Sequence, residues 1–151
     1  MKGGVEVRVI RPGALVDYTD FEAPGRLGRE VGPLFVCIGG KNSRIGLCDV
    51  NKAAEVVRAY VEKFDDMPST LNLIEPEGPT HAELLSRLLA KRPDLRVLYF
   101  PLFLLRLMSP ALKLLQRILR PGNRPIDVYA VFAPEKYNCN LAMKIFGEMN
   151  Q

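Results

Sequence analysis

Apolar and polar residues alternate from Val5 to Arg11 (V-E-V-R-V-I-R), most of the apolar ones β-branched, and Pro12-Gly13 closes the run; the pattern predicts a β-strand. Residues 17 to 33 carry Gly25, Gly28, Gly32, Pro24 and Pro33 among scattered charges and read as a long loop with room for one short helix. Leu34 to Ile38 and Arg44 to Val50 are strand candidates, and the turn Gly39 to Ser43 between them suggests a hairpin. Behind Asn51, taken as an N-cap, Ala53, Ala54, Val57, Tyr60 and Val61 recur at helical spacing and predict an amphipathic helix over 52–64. Thr70 to Ile74 is a further strand.

Thr80-His81-Ala82-Glu83 has the form of a capping box, in which threonine hydroxyl and glutamate carboxylate each satisfy a free backbone N–H, and Leu84, Leu85, Leu88 and Leu89 follow it. A helix over 81–91 is expected, with His81 on its surface. Arg96 to Phe100 is a strand stopped by Pro101. Ser109-Pro110 offers an N-cap and a first-turn proline for a helix reaching about Leu119. After Pro121-Gly122 and Pro125 the chain is irregular until a last helix near Asn140 to Phe146. Strands leading into helices three times indicate an α/β chain forming one domain over 1–151, with too few strands to complete a doubly wound nucleotide-binding sheet.

Of the 151 residues, 48% are hydrophobic and 25% charged, which supports one ordinary core and excludes a disordered chain. The net charge of +4 is uneven: Lys91 to Arg124 holds eight basic residues and one acid, Asp94, leaving the remainder at −3. Within that segment Val97 to Leu105 is uninterruptedly apolar, and Arg106, Lys113, Arg117 and Arg120 share a helical face. Nine residues are too few to cross a bilayer, which takes about 20. A leucine stripe packed within its own lobe or against a part of the fold absent from this chain, and a cationic helix lying on a membrane surface, both fit the pattern. Nucleic-acid binding is not expected, since no stacking aromatics are interleaved with the cations.

Cys37, Cys48 and Cys139 are an odd set without a C-x-x-C pair, so neither a disulfide framework nor a zinc site is expected, and all three read as small buried side chains in a reducing, cytoplasmic setting. No signal-peptide pattern follows Met1. With His81 the single histidine, a His-based metal site or a Ser-His-Asp triad has no support. Gly39-Gly40-Lys41-Asn42-Ser43 lacks the spacing of a phosphate loop and reads as a turn.

Three segments carry a resemblance. Val7-Arg8-Val9-Ile10-Arg11-Pro12-Gly13 is similar to a strand ending "R-P-G"; Ile45-Gly46-Leu47-Cys48-Asp49-Val50-Asn51-Lys52-Ala53-Ala54 to a "V-H-V-D-D-V-A" strand-to-helix junction, with Asn51 and Lys52 in place of the acidic pair; and Thr70-Leu71-Asn72-Leu73-Ile74, Pro79-Thr80, Glu83-Leu84, Tyr137-Asn138, Leu141-Ala142 and Gly147 to a "y-n-l…t-x-x-E-l…y-D…k-A…l-G" ending. In this order they resemble the C-terminal half of the extended short-chain dehydrogenase/reductase family, the NAD-dependent epimerases and dehydratases. The resemblance implies the C-terminal part of a Rossmann-like NAD(P)-binding fold, with its small α/β substrate lobe and an incomplete sheet. Pro12, Gly13, Ala14 and Leu15 would then border the nicotinamide, and Val16, Asp17, Arg44 and the 17–33 loop would shape the pocket for a nucleotide sugar or related hydroxy/keto compound. Arginine suits a phosphate because its fork binds two oxygens at once.

The family's remaining signatures are missing. Gly25-x-x-Gly28-x-x-x-Gly32 imitates the dinucleotide fingerprint, but no strand runs into its first glycine. No lysine stands four residues after Tyr18, Tyr60, Tyr99, Tyr129 or Tyr137, the one-turn spacing at which an ammonium lowers a catalytic tyrosine's pKa. The parent family uses NAD or NADP; this chain alone is expected to bind neither tightly and to catalyse nothing by itself. An N-terminal half, or a second copy joined through an exposed sheet edge, is the expected partner besides the small-molecule substrate. The rival expectation is a non-catalytic interaction or membrane-surface-associated protein that retains only this lobe.

Overall fold

The computed structural model of the chain describes residues 5–134 and 137–149; it is a mixed α/β structure of small sheets and helices. It divides into two compact units, and the chain passes back and forth between them: one comprises the described residues of Met1–Glu22, Gly46–Gly78 and Lys136–Gln151, the other those of Ala23–Ile45 and Pro79–Glu135.

In the first unit β1 (Val9–Pro12) pairs in parallel with β6 (Thr70–Leu73), and β2 (Ala14–Val16) pairs in parallel with β5 (Leu47–Asp49). Strand β1 is shorter at its start than the alternation from Val5 suggests. Val9 N–H donates to the Ser69 carbonyl at 2.9 Å, and the residue before Ser69 is Pro68, which has no N–H to extend a ladder and whose carbonyl accepts from the Tyr60 hydroxyl. Val5 and Val7 are exposed. At the other end Pro12 belongs to the strand. Val9 and Gly13 donate toward β6, so alternation turns position 12 to the opposite edge, where a missing N–H costs no bond.

Helix α1 (Val50–Glu62) starts two residues before the expected boundary. Its N-cap is Asp49, whose carboxylate accepts from Asn51 N–H at 2.7 Å and Lys52 N–H at 3.3 Å; Asn51 lies inside the helix. The buried face is Ala53, Val56 and Tyr60, whereas Val57 and Val61, expected on it, are 49% and 78% exposed. Val56 and Tyr60 pack with Cys48, Leu71, Leu73, and with Ala142 and Ile145 of α5 (Asn140–Met149), to form this unit's core. A 3₁₀ turn, Phe64–Asp66, follows α1.

In the second unit β3 (Gly28–Val31), β4 (Leu34–Ile38) and β7 (Arg96–Phe100) form one sheet, β4 central, antiparallel to β3 and parallel to β7. The hairpin is therefore β3–β4, out of the stretch read as loop. Residues 34–38 do not form a hairpin with Arg44–Val50, of which only Leu47–Asp49 is strand, because Leu47–Asp49 takes β2 as its neighbour and Arg44 makes only an isolated bridge with Thr80. Alternate burial of Phe35 and Cys37 turns one face of β4 inward.

Helix α2 (His81–Lys91) has the capping box expected of it: Glu83 N–H donates to Thr80 Oγ1 at 3.3 Å, and Thr80 N–H donates to Glu83 Oε2 at 2.6 Å. The Thr80 N–H bond and a second one from the Thr80 hydroxyl, which donates to Glu83 Oε2 at 2.8 Å, lower the Glu83 pKa. Helix α3 (Leu102–Leu119) begins eight residues before the expected first helical residue, Pro110, with Pro101 in place of Ser109 at the N-cap position and Pro110 inside it. Ser109 does not cap. It is buried, and its hydroxyl donates to Asp127 Oδ1 at 2.9 Å in a stripe with Leu105. Lys113 Nζ lies 2.6 Å from Asp127 Oδ2, and the Lys113 and Ser109 bonds hold the Asp127 carboxyl down to about 2. Asp127 also caps α4 (Val128–Phe132), a short helix in the stretch expected to be irregular. No helix among the described residues is long and apolar enough to cross a membrane.

Candidate functional site

From Val9 to Val16 the chain is one extended run that changes neighbours at Gly13. Gly13 N–H donates back to the Leu73 carbonyl at 2.9 Å, and Ala14 N–H donates forward to the Gly46 carbonyl at 2.9 Å. The exchange requires two backbones to touch. A Cβ at position 13 would stand 2.6 Å from the Gly46 oxygen, 2.9 Å from its carbonyl carbon and 3.2 Å from Ile74 Cγ1. Gly46 is hemmed in as well, its missing Cβ falling 3.1 Å from Tyr137 Cε2. Glu75 fastens the next segment, its N–H donating to the Leu47 carbonyl at 2.8 Å while its carboxylate accepts from Asp49 N–H at 3.3 Å and Lys52 Nζ at 3.1 Å. Pro12 thus closes the β1–β6 pair and Gly13 leads into β2, whose pair with β5 closes at Val16 and Asp49.

Pro12, Gly13, Ala14, Leu15, Val16 and Asp17 follow one another along this run. Pro12 is exposed, Leu15 is 54% exposed, and Val16 is buried with its backbone opposite Asp49. Asp17 Oδ1 accepts from Thr19 N–H at 2.8 Å, Thr19 Oγ1 at 2.6 Å and Asp20 N–H at 3.2 Å, so its carboxylate pins the turn leaving β2. Arg44 belongs to the other unit, where it is exposed at the bridge to Thr80 and its charge helps lower the Glu83 pKa. Six of the seven residues thus share a segment in one unit, and Arg44 stands in the second.

Pro12 to Leu15 lie together on this run, and the other half of a dinucleotide site, a pyrophosphate cradle, was sought in Gly25–Gly32. Pyrophosphate needs backbone N–H groups at a glycine turn that opens a helix. Gly25–Gly32 does not supply one: Gly28 lies in β3, where a Cβ would strike the Val36 carbonyl, and the chain proceeds into the β3–β4 hairpin.

Two features escaped the sequence. His81, expected on the surface, is 2% exposed, because it shares the inward face of α2 with Leu84, Leu85 and Leu88. Its Nδ1 lies 3.6 Å from Cys37 Sγ, and its Nε2 is buried without a partner among the described residues. Burial lowers the His81 pKa and pushes the Cys37 thiol up to about 11, so both are neutral near pH 7 and the thiol is a poor nucleophile. Cys48 is likewise buried and pushed up to about 11 by burial and by Glu75, while Cys139 is only half-buried, so two of the three thiols match the expectation. The second feature is a cleft of about 520 Å³ in the first unit, with Met67, Leu141 and Ile145 as its apolar lining and Lys63, Asp66 and Lys144 as its charged groups. Its walls come from residues 59–68 and α5, far apart in sequence, which no local pattern could join. Among the described residues no three His, Cys, Asp or Glu side chains are grouped to hold a metal ion.

No family model matches the chain, and comparisons with curated proteins and with solved structures likewise give no match.

Proposed function

We propose that the chain supplies the substrate side of an NAD(P)-dependent epimerase, dehydratase or reductase of the extended short-chain dehydrogenase type, acting on a nucleotide sugar or related hydroxy/keto compound. Its first unit would be the C-terminal part of a Rossmann-like sheet and its second the α/β substrate lobe. The observation that carries this reading is the run Arg11-Pro12-Gly13, which ends a parallel strand pair and passes under Gly46 into a second one. Parallel pairs are normally covered on both faces. Here only one face of α1 is buried, and Val57, Val61 and Leu15 remain exposed, as expected of a sheet that awaits further strands and helices.

In this role Pro12 to Leu15 would form the wall beside the nicotinamide, with hydride chemistry supplied by the dinucleotide when bound. Gly13 would keep that wall flat. Asp17, held by Thr19 and Asp20, would fix the exit of β2 toward the substrate. Proton transfer would come from a Tyr-x-x-x-Lys pair on another segment. Two observations test the reading. DNA 5′ to the Met1 codon is expected to encode a frame with G-x-x-G-x-x-G after a strand and Tyr-x-x-x-Lys further on, and calorimetric titration of the chain alone is expected to show no micromolar NAD(H) binding. Unrelated sequence upstream, or micromolar binding by the chain alone, would remove the proposal.

A further inference from the structure

Helix α3 presents more apolar surface to solvent than to its own unit. Inward it turns Leu105 and Ser109, whereas Phe103, Leu107, Leu114, Ile118 and Leu119 are between 60% and 77% exposed. The first four recur at steps of four, seven and four residues, so they form one stripe that runs for about 22 Å at 1.5 Å per residue. Arg106 and Arg117 adjoin one border of this stripe, Lys113 and Arg120 come next around the helix, and Arg124 follows its end. The helix contains no Asp or Glu. The nearest acid after it, Asp127, is engaged with Lys113 and Ser109, which leaves the cationic border with a net positive charge.

We infer that α3 lies in the plane of an anionic membrane surface, with Phe103, Leu107, Leu114 and Ile118 sunk to the acyl boundary and Arg106, Arg117 and Arg120 against lipid phosphates. Charge complementarity selects this occupant: a leucine- and phenylalanine-rich face edged by arginines is the composition of an interfacial helix. The helix carries too many charges to span, so it lies along the surface. This inference is independent of the catalytic reading above.

The full chain has no tryptophan, so Phe103→Trp installs a single reporter at an exposed position. Its emission is expected to shift to the blue on adding vesicles of phosphatidylcholine with about a third phosphatidylserine, with binding at least tenfold stronger than to phosphatidylcholine alone and weakened by salt. Arg117→Gln and Arg106→Gln should each weaken binding about fivefold. Leu107→Glu should abolish it while circular dichroism stays unchanged. Three results overturn the inference: emission indifferent to both vesicles in a folded protein, equal binding to neutral and anionic vesicles, or a blue shift that appears on concentration without lipid, together with a dimer by light scattering. The last would assign the stripe to a second copy.

Discussion

Replacing Gly13 by alanine tests the close approach on which the candidate site is built. The new methyl carbon would fall 2.6 Å and 2.9 Å from the carbonyl oxygen and carbon of Gly46, both backbone atoms, and 3.2 Å from Ile74 Cγ1. No rotamer relieves a clash with backbone, so the two strands must part. Overpacking of this kind costs about 1–3 kcal/mol. Parting also weakens the Ala14-to-Gly46 hydrogen bond, 2.9 Å long, for about 1 kcal/mol more. Against this, alanine restricts the unfolded chain and returns about 0.4–1 kcal/mol. The net loss is about 2 kcal/mol, which at a urea slope of about 2 kcal/mol/M lowers the midpoint by about 1 M. Gly25→Ala is the control: nothing lies within 4 Å of its missing Cβ, so its midpoint should hold or rise slightly. Urea unfolding followed by circular dichroism decides. A Gly13→Ala midpoint within about 0.2 M of the parent would show that Gly46 does not press on position 13.

Acid should destabilise the protein through His81. Burial lowers its folded-state pKa beneath the ordinary 6.5, so the unfolded chain binds the proton first; stability is full above about pH 6.5 and falls as pH drops toward the folded value, at up to about 1.4 kcal/mol per pH unit. His81→Leu should flatten this part of the curve, and an unchanged pH dependence between 7.5 and 5.0 would contradict it. Thr80→Ala removes one arm of the capping box and should cost about 1 kcal/mol in thermal or urea unfolding; an unchanged midpoint would mean that the box does not hold α2.

Much of the local architecture was legible because it is punctuated locally. Leu34–Ile38 and Arg96–Phe100 are bounded by proline and glycine, and Thr80 and Glu83 declare the start of α2 from side-chain chemistry alone. What failed was non-local. The neighbour of Leu47–Asp49 is β2, some thirty residues earlier, and no spacing in the sequence announces a parallel pairing. Ser109-Pro110 imitates a helix start, yet the serine is committed to Asp127, and the apolar stripe from Leu102 carries the helix through the proline. His81 looked like a surface residue because a first-turn position has too few neighbours in sequence to define its face. Asn51 lost the N-cap to Asp49, two residues earlier, whose carboxylate reaches two N–H groups. In the candidate site, the glycine after Arg11-Pro12 was visible as a strand end, but its contact with Gly46 depends on pairing that only the fold supplies.

The central claim, that this chain is one part of a larger α/β enzyme, is tested most directly by size-exclusion chromatography with light scattering, on the chain alone and after co-expression with an N-terminal half carrying G-x-x-G-x-x-G and Tyr-x-x-x-Lys. Among the described residues β1 has only β6 beside it, and Val9, Leu15, Val57 and Val61 are exposed around the parallel pairs. An unpaired edge next to such surface is a template for association. The account predicts a dimer, larger oligomer or aggregate for the chain alone, and a soluble one-to-one complex with the N-terminal half. A concentration-independent monomer that melts in one cooperative step and ignores the added half would contradict it.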